Sequence, residues 1–227
     1  MVARNLISAE LDETWRSLPI VDQIADLFTD PDMFRSVDRY AAKGFKIVAH
    51  HPDKMMCGRH KRIRGYVFKK FNDSFPKSQI ENYMRRIEGA RLLRSFIADR
   101  GFVHVTAPKK WLYELPRAFD ERYLVIAERL DLQDKEDTEK RYERIEVPQL
   151  IELATILYYF RGLNSTLSNL PFTEDRKIAF VDTERWDNDK EYLEKLRDRI
   201  PRERRRQAKA VYSELKRLGQ RPFRSVF

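Results

Sequence analysis

A strand lysine, a glutamate on the long helix after it and an aspartate that closes a later strand are the groups of this sequence whose types and order could do chemistry together. The lysine is Lys69, with Lys70 as its alternate if the register slips by one, in Gly65-Tyr66-Val67-Phe68-Lys69-Lys70-Phe71. That run is rich in aromatic and β-branched residues and reads as a strand, with Val67 and Lys69 on one face. Glu88 follows nineteen positions later, and Asp182 ends Lys177-Ile178-Ala179-Phe180-Val181-Asp182. Each group alone has a plain structural explanation: a solvent-facing lysine, a surface carboxylate, a turn residue. Their succession is what sets them apart. Two basic runs add a second chemistry. Arg59, Lys61, Arg62 and Arg64 form one, and Arg197, Arg199, Arg202, Arg204, Arg205, Arg206 and Lys209 the other. Guanidinium forks suit clustered phosphate oxygens.

The elements that must position these groups follow from periodicity. Leu11, Trp15 and Leu18, then Ile20, Ile24, Leu27 and Phe28, predict two short amphipathic helices before the Asp30-Pro31-Asp32 turn. Phe45 to His51 reads as a strand and His51 to Gly58 as a turn leading to the lysine strand. From Pro76 to Gly101 the apolar residues recur at helical spacing, with Ser78 as an N-cap. Short extended runs follow in FVHVTAP and WLYELP, and Arg122 to Glu128 is a dense strand. Asp131 to Glu146 is so charged that it reads as a solvated connector. Pro148 suits a helix start, Leu150 to Phe160 a buried helix, and Asn164 to Asn169 a polar loop. The final 40 or so residues read as charged helices broken at Ile200-Pro201.

Composition bounds the answer. The chain has 227 residues, 42% hydrophobic and 36% charged, with a net charge of +9 and a mean hydropathy of -0.66. These values suit one domain or a small two-lobed unit with a strongly solvated surface. The positive excess favours a polyanionic partner without choosing one. A single cysteine, Cys57, excludes an internal disulfide framework and reads as a buried thiol. No run of about 18 apolar residues occurs, so no membrane span is expected. The chain is expected to be soluble and intracellular, and delivery into a host cell as a secreted effector stays open.

Taken together, these motifs resemble the protein kinase superfamily in a divergent, shortened form, over roughly residues 45 to 186. The resemblance implies an α+β, bilobal protein-kinase-like fold with a small antiparallel-sheet N-lobe and a truncated helical C-lobe. Its divisions would be an N-terminal helical extension (1–44), an N-lobe (45–132) and a reduced C-lobe carrying the metal-site loop (133–227). It further implies that Lys69 pairs with the inner phosphates of ATP and that Glu88 holds that lysine in place. Ala127 would be the gatekeeper, and backbone groups from Glu128 to Leu130 would meet adenine. Asn169 resembles the catalytic-loop asparagine and Asp182 the aspartate of the Asp-Phe-Gly motif, both binding Mg2+, with Glu184 as a further carboxylate near metal or substrate.

The departures are equally specific. Five positions before Asn169, where the catalytic base would stand, is Asn164, and an amide cannot accept a proton. No Gly-x-Gly-x-x-Gly precedes Lys69; the basic run from Arg59 to Arg64 occupies the hairpin instead. No Ala-Pro-Glu follows Asp182, and only 45 residues remain after it. The sequence therefore predicts a divergent Mg-ATP-dependent phosphotransferase acting on a protein substrate. A polyanion such as an inositol polyphosphate would serve as activator, through Arg59, Lys61, Arg62, Arg64, Arg202 and Arg205. A pseudokinase binding module and an enzyme transferring AMP are the alternatives. A nucleic-acid-binding domain ranks last, because aromatics are not interleaved with the basic residues and no zinc finger or helix-turn-helix is read.

Overall fold

The computed structural model describes residues 18–51, 55–71, 79–119, 122–184 and 199–222. The predicted helix at Leu11 to Leu18, the N-cap at Ser78, and Arg197 lie wholly or largely outside them. Contacts divide the α+β chain into two compact units: Met1–Ile87 with Lys109–Arg129, and Glu88–Pro108 with Leu130–Phe227. The sequence-based divisions fall instead at 44/45 and 132/133. Residues 18–44 belong with the first unit because their apolar side chains enter its core, and residues 88–108 group with the second.

The first unit opens with α1 (Val21–Ala25), a 3-10 turn (Pro31–Arg35) and α2 (Val37–Ala42). Asp30 and Ser36 cap the latter two by accepting from the Asp32 and Arg39 amides. The strands β1 (Phe45–His51), β2 (Met55–His60) and β3 (Ile63–Phe71) follow. The helix α3 (Gln79–Asp99) carries the division between the units along its length. Beyond β4 (Val105–Thr106), which belongs to the second unit, β5 (Lys110–Glu114) and β6 (Tyr123–Glu128) complete a five-stranded sheet. Its order is β1-β2-β3-β6-β5 and every neighbouring pair is antiparallel.

One face of this sheet buries Met56, Phe68, Trp111, Tyr113, Leu124 and Ile126 beneath Ile24, Phe28, Met33 and Tyr40. Tyr40 stacks on Phe45 at 4.1 Å, and Phe28 meets Phe45, Phe68 and Tyr113. The turn expected over His51 to Gly58 is instead largely strand β2. Gly58 concealed it. A Cβ there would stand 2.5 Å from the Tyr40 ring, so the position takes glycine for close approach within a strand.

The second unit contains α4 (Lys135–Glu143), α5 (Val147–Tyr159), the short strand β7 (Ile178–Ala179) parallel to β4, and α6 (Arg202–Arg217). The buried helix expected over Leu150 to Phe160 is α5, which packs with Leu93, Phe96, Phe172 and Phe180. The expected solvated connector contains a helix, α4. Asp134 caps it by accepting from the Asp137 amide, and Glu136 pairs with Lys140 one turn on. Two buried side chains, Thr138 and Tyr142, suffice to anchor it. So narrow a stripe leaves little trace in composition. The predicted strand from Lys177 to Asp182 contracts to two ladder residues. On α5, Tyr158 and Tyr159 donate to the carbonyl and side-chain oxygens of Gln220, which ties the C-terminal side of α6 to that helix. Among the described residues no helix is long and apolar enough to cross a membrane.

Candidate functional site

Register decides which of two adjacent lysines is available for chemistry. Cys57 pairs with Lys69, Lys69 with Val125, and Val125 with Leu112. Directly opposed residues share a face, so these four form a row across the sheet on the side away from the aromatic core. Val67, Ala127 and Lys110 form the adjacent row. Lys69 is half-buried, and Lys70 is 2% exposed on the opposite face, where its Nζ donates to the Phe71 carbonyl at 2.9 Å. Burial pushes the Cys57 thiol upward, and the nearby Lys69 and Arg59 charges oppose that shift.

Cys57 and Lys110 are neighbours of Lys69 that sequence reasoning did not assign to this face. Lys110 is 2% exposed. Its only signal is positional: it opens β5 two residues before Leu112, and only the pairing with β6 reveals the shared face.

Ala127, at 3% exposure, lies at the middle of the row with Val67 and Lys110. The three residues after it differ in what they can still offer. The Glu128 amide donates to the Lys109 carbonyl and the Arg129 amide to the Gly65 carbonyl, both at 2.9 Å. The Leu130 amide has no partner among the described residues.

The remaining groups belong to the second unit. Glu88 is half-buried on α3, its carboxylate 4.0 Å from the Arg91 guanidinium. Glu81, in the first turn of the helix, is exposed. Asn169 and Asp182 are thirteen positions apart and are brought together by a hairpin. The Val181 amide donates to the Asn169 carbonyl at 3.1 Å, the Ala179 amide to Pro171 at 2.8 Å, and the Thr173 amide to Lys177 at 2.8 Å. Helix α4 fixes this hairpin from one side: Tyr142 donates to the Leu170 carbonyl at 2.9 Å, and the Phe172 amide donates to Thr138.

Asp182 accepts from the Glu184 amide at 3.3 Å, an Asx turn that restrains its carboxylate, while Thr183 between them is fully buried. Asn164 is half-buried in the loop after α5, next to the fully buried Ser165. Asn169, Asp182 and Glu184 are all partly accessible. Their amide and carboxylate oxygens are hard donors of the kind Mg2+ combines with phosphate oxygens and water. Among the described residues no three His, Cys, Asp or Glu side chains form a metal cage.

The basic runs are distributed unequally. Lys61 and Arg62 form the turn between β2 and β3, and Arg64 follows; all three are exposed. His60 organises that turn, with Nδ1 accepting from the Arg62 amide and Nε2 donating to the Lys43 carbonyl. In the other run Arg202 is exposed on α6, whereas Arg205 donates from Nε to the Ile200 carbonyl at 2.7 Å.

No protein-family model matches the chain, and no curated protein matches it. Among solved structures, APH(2")-IIia in its GDP and kanamycin complex aligns at 11% identity over 78% of this chain and 80% of its own, with a TM-score of 0.41. The MAP kinase LmaMPK10 from Leishmania major aligns at 13% identity over 72% of this chain and 49% of its own, with a TM-score of 0.32. At these scores neither likeness decides the fold. Strand order and the residues on it stand by themselves.

Proposed function

We propose that the chain is a divergent, kinase-like phosphotransferase that uses Mg-ATP and acts on a protein substrate. The observation that carries the reading is the hairpin in which the Val181 amide, next to Asp182, donates to the Asn169 carbonyl, because it brings together two residues with oxygen donors suited to a phosphate-bound magnesium ion. The lysine face of the sheet supports the same reading. Lys69 would neutralise the inner phosphates and Glu88 would orient that lysine. Val67 and Ala127 would offer an apolar surface to the base, and the Leu130 amide with the Glu128 carbonyl would offer its edge one donor and one acceptor. Bound magnesium would neutralise charge on the transferred phosphoryl group, held by Asn169 and Asp182 with Glu184 nearby.

Asn164 cannot act as a base, so the proton of the attacking hydroxyl must leave by another route. Phosphoryl transfer draws mainly on positioning and charge stabilisation, and such a site can retain activity at a reduced rate. The half-buried Arg59 and the exposed Lys61, Arg62 and Arg64 are proposed to receive a polyphosphate activator, and Arg202 is exposed in the second unit as a separate candidate contact. Arg205 is already engaged with a backbone carbonyl.

The test is transfer of label from γ-labelled ATP with wild type and Asp182→Ala. We expect label on protein in the first and a loss of about 10³-fold in the second; equal label in both overturns the reading. Asn164 also favours a second reading, a pseudokinase module that binds nucleotide to shape an interface. Calorimetric binding without turnover would select it. An added mass of adenylate in place of phosphate on the product would select AMP transfer.

A further inference from the structure

A further cluster of cations, made of residues outside both basic runs of the sequence, lies wholly in the second unit. A cavity of about 360 Å³ opens between α4, the start of α5 and the Phe172–Lys177 turn, lined by Arg141, Arg144, Arg176, Gln133, Gln149 and Phe172. Lys140, Asp137 and Glu146 complete the lining, so four cations face two carboxylates. Lys140 is already paired with Glu136 at 2.7 Å and lies 4.0 Å from Asp137. The excess charge therefore resides in the three arginines.

These arginines are prepared in different ways. Arg141 donates from Nε to Gln133 Oε1 at 2.7 Å, and its guanidinium lies 6.0 Å from the Phe172 ring centroid. Its two terminal amino groups are thereby aimed and remain as donors. Arg144 is the C-cap residue of α4, where a cation complements the helix dipole. Among the described residues no carboxylate or hydrogen-bonding side chain engages the guanidinium of Arg144 or Arg176.

Arg176 is the more telling. It is the one described non-glycine residue with positive φ, at 66°. A side chain in that region is strained, a cost that glycine would avoid. The conformation is held by a buried amide: Gln149, 8% exposed, donates from Nε2 to the Arg176 carbonyl at 3.0 Å, while its Oε1 accepts from the Glu146 amide. A strained arginine fixed at a cavity whose other guanidiniums lack a carboxylate is the arrangement of a charge waiting for a counter-charge.

We propose that this cavity binds a small anion bearing a phosphate group. Three forked donors need at least three acceptor oxygens and about two negative charges, which a phosphate monoester or diphosphate supplies and a single carboxylate does not. The volume sits at the lower end of the range for small-molecule sites. It suits a compact ligand rather than a peptide. The inference requires no nucleotide and stands apart from phosphotransfer at Asp182.

The test is isothermal calorimetry with sodium pyrophosphate on the full chain, at fixed ionic strength, with EDTA present to remove divalent metal. Wild type is expected to bind. The double variant Arg144→Gln, Arg176→Gly should bind about 30-fold more weakly, as charge-assisted bonds are lost. Glycine takes the 66° φ without strain, so the melting temperature of the ligand-free variant should be no lower than that of wild type. Lys216→Gln, which removes an exposed cation of α6 outside this cavity, should bind as wild type does. No binding by wild type, undiminished binding by the double variant, or an equal loss in Lys216→Gln would each overturn the proposal.

Discussion

The sheet of the first unit and the hairpin of the second hold their chemical groups by different means. Lys69 stands on β3 between β2 and β6, and the pairing on both sides leaves its side chain one face to occupy. A slip of one residue would exchange it with Lys70 and drive Val67 into the aromatic core. The pair Asn169 and Asp182 has no such sheet. Its hairpin is held by backbone bonds, by the two-residue ladder of β7 with β4, by the buried Leu170, Phe172, Ile178 and Phe180, and by two side chains of α4, Thr138 and Tyr142. The first arrangement is fixed by strand pairing on both sides, the second by a short ladder and by side chains that anchor the hairpin. Loss of a single hydroxyl should therefore be felt more at the hairpin than a comparable change at the sheet.

The strongest way to break this comparison is to exchange the roles of the lysines. Lys69→Met should lower label transfer about a hundredfold with little change in melting temperature, as removal of one positioned charge does. Lys70→Met, on the buried face, should change transfer less than about threefold and act on stability, since its lost bond is to a backbone carbonyl. Equal losses of transfer in the two variants would refute the register argument.

Gly58→Ala sharpens the account of the sheet. Its Cβ would meet the Tyr40 ring at 2.5 Å, and that ring is buried and stacked on Phe45. Chemical denaturation should show a loss of about 2 kcal/mol, the usual cost of overpacking. An unchanged midpoint would mean that Tyr40 moves freely. Tyr142→Phe makes the corresponding test at the hairpin. It strands the Leu170 carbonyl and should destabilise by about 1 kcal/mol. Hydrogen exchange at the Val181 amide should quicken by more than global unfolding requires; uniform quickening would contradict a local role.

The smallest effect concerns pH. Burial lowers the His60 pKa from its ordinary 6.5, assisted by Arg62 and Lys61 and opposed by the bond to the Lys43 carbonyl. The unfolded chain thus binds a proton more readily than the folded one. The contribution is complete above about pH 6.5 and is lost as pH falls from there through the folded pKa. Denaturation midpoints measured from pH 7.5 to 5 should fall less steeply in His60→Gln than in wild type.

Much of the first unit was legible from residue types because its strands carry β-branched and aromatic residues. The runs at Phe45, Gly65 and Arg122 all emerge as strands, and the spacing from Ile80 to Ile97 emerges as α3. Strand β2 was not legible. Met56, Cys57 and Gly58 are all buried in succession, so the alternation that marks a half-buried strand is absent, and glycine reads as a turn. Helix α4 was missed for the opposite reason. Its surface is charged throughout, and only Thr138 and Tyr142 face inward.

By itself, the sequence determined the order of the groups: a lysine on a strand, a glutamate on the next long helix, and an asparagine and aspartate separated by the length of a hairpin. Local propensity and periodicity are short-range properties, and they suffice for that order. Tertiary structure decided which lysine shares a face with Ala127, because face is set by pairing with β6, more than fifty residues away in the chain. It also decided that Arg141, Arg144 and Arg176 line one cavity. Those three come from the end of a helix, the residue that caps it and a strained turn, and no spacing in the chain announces a charge cluster whose members meet only when the helix and hairpin pack.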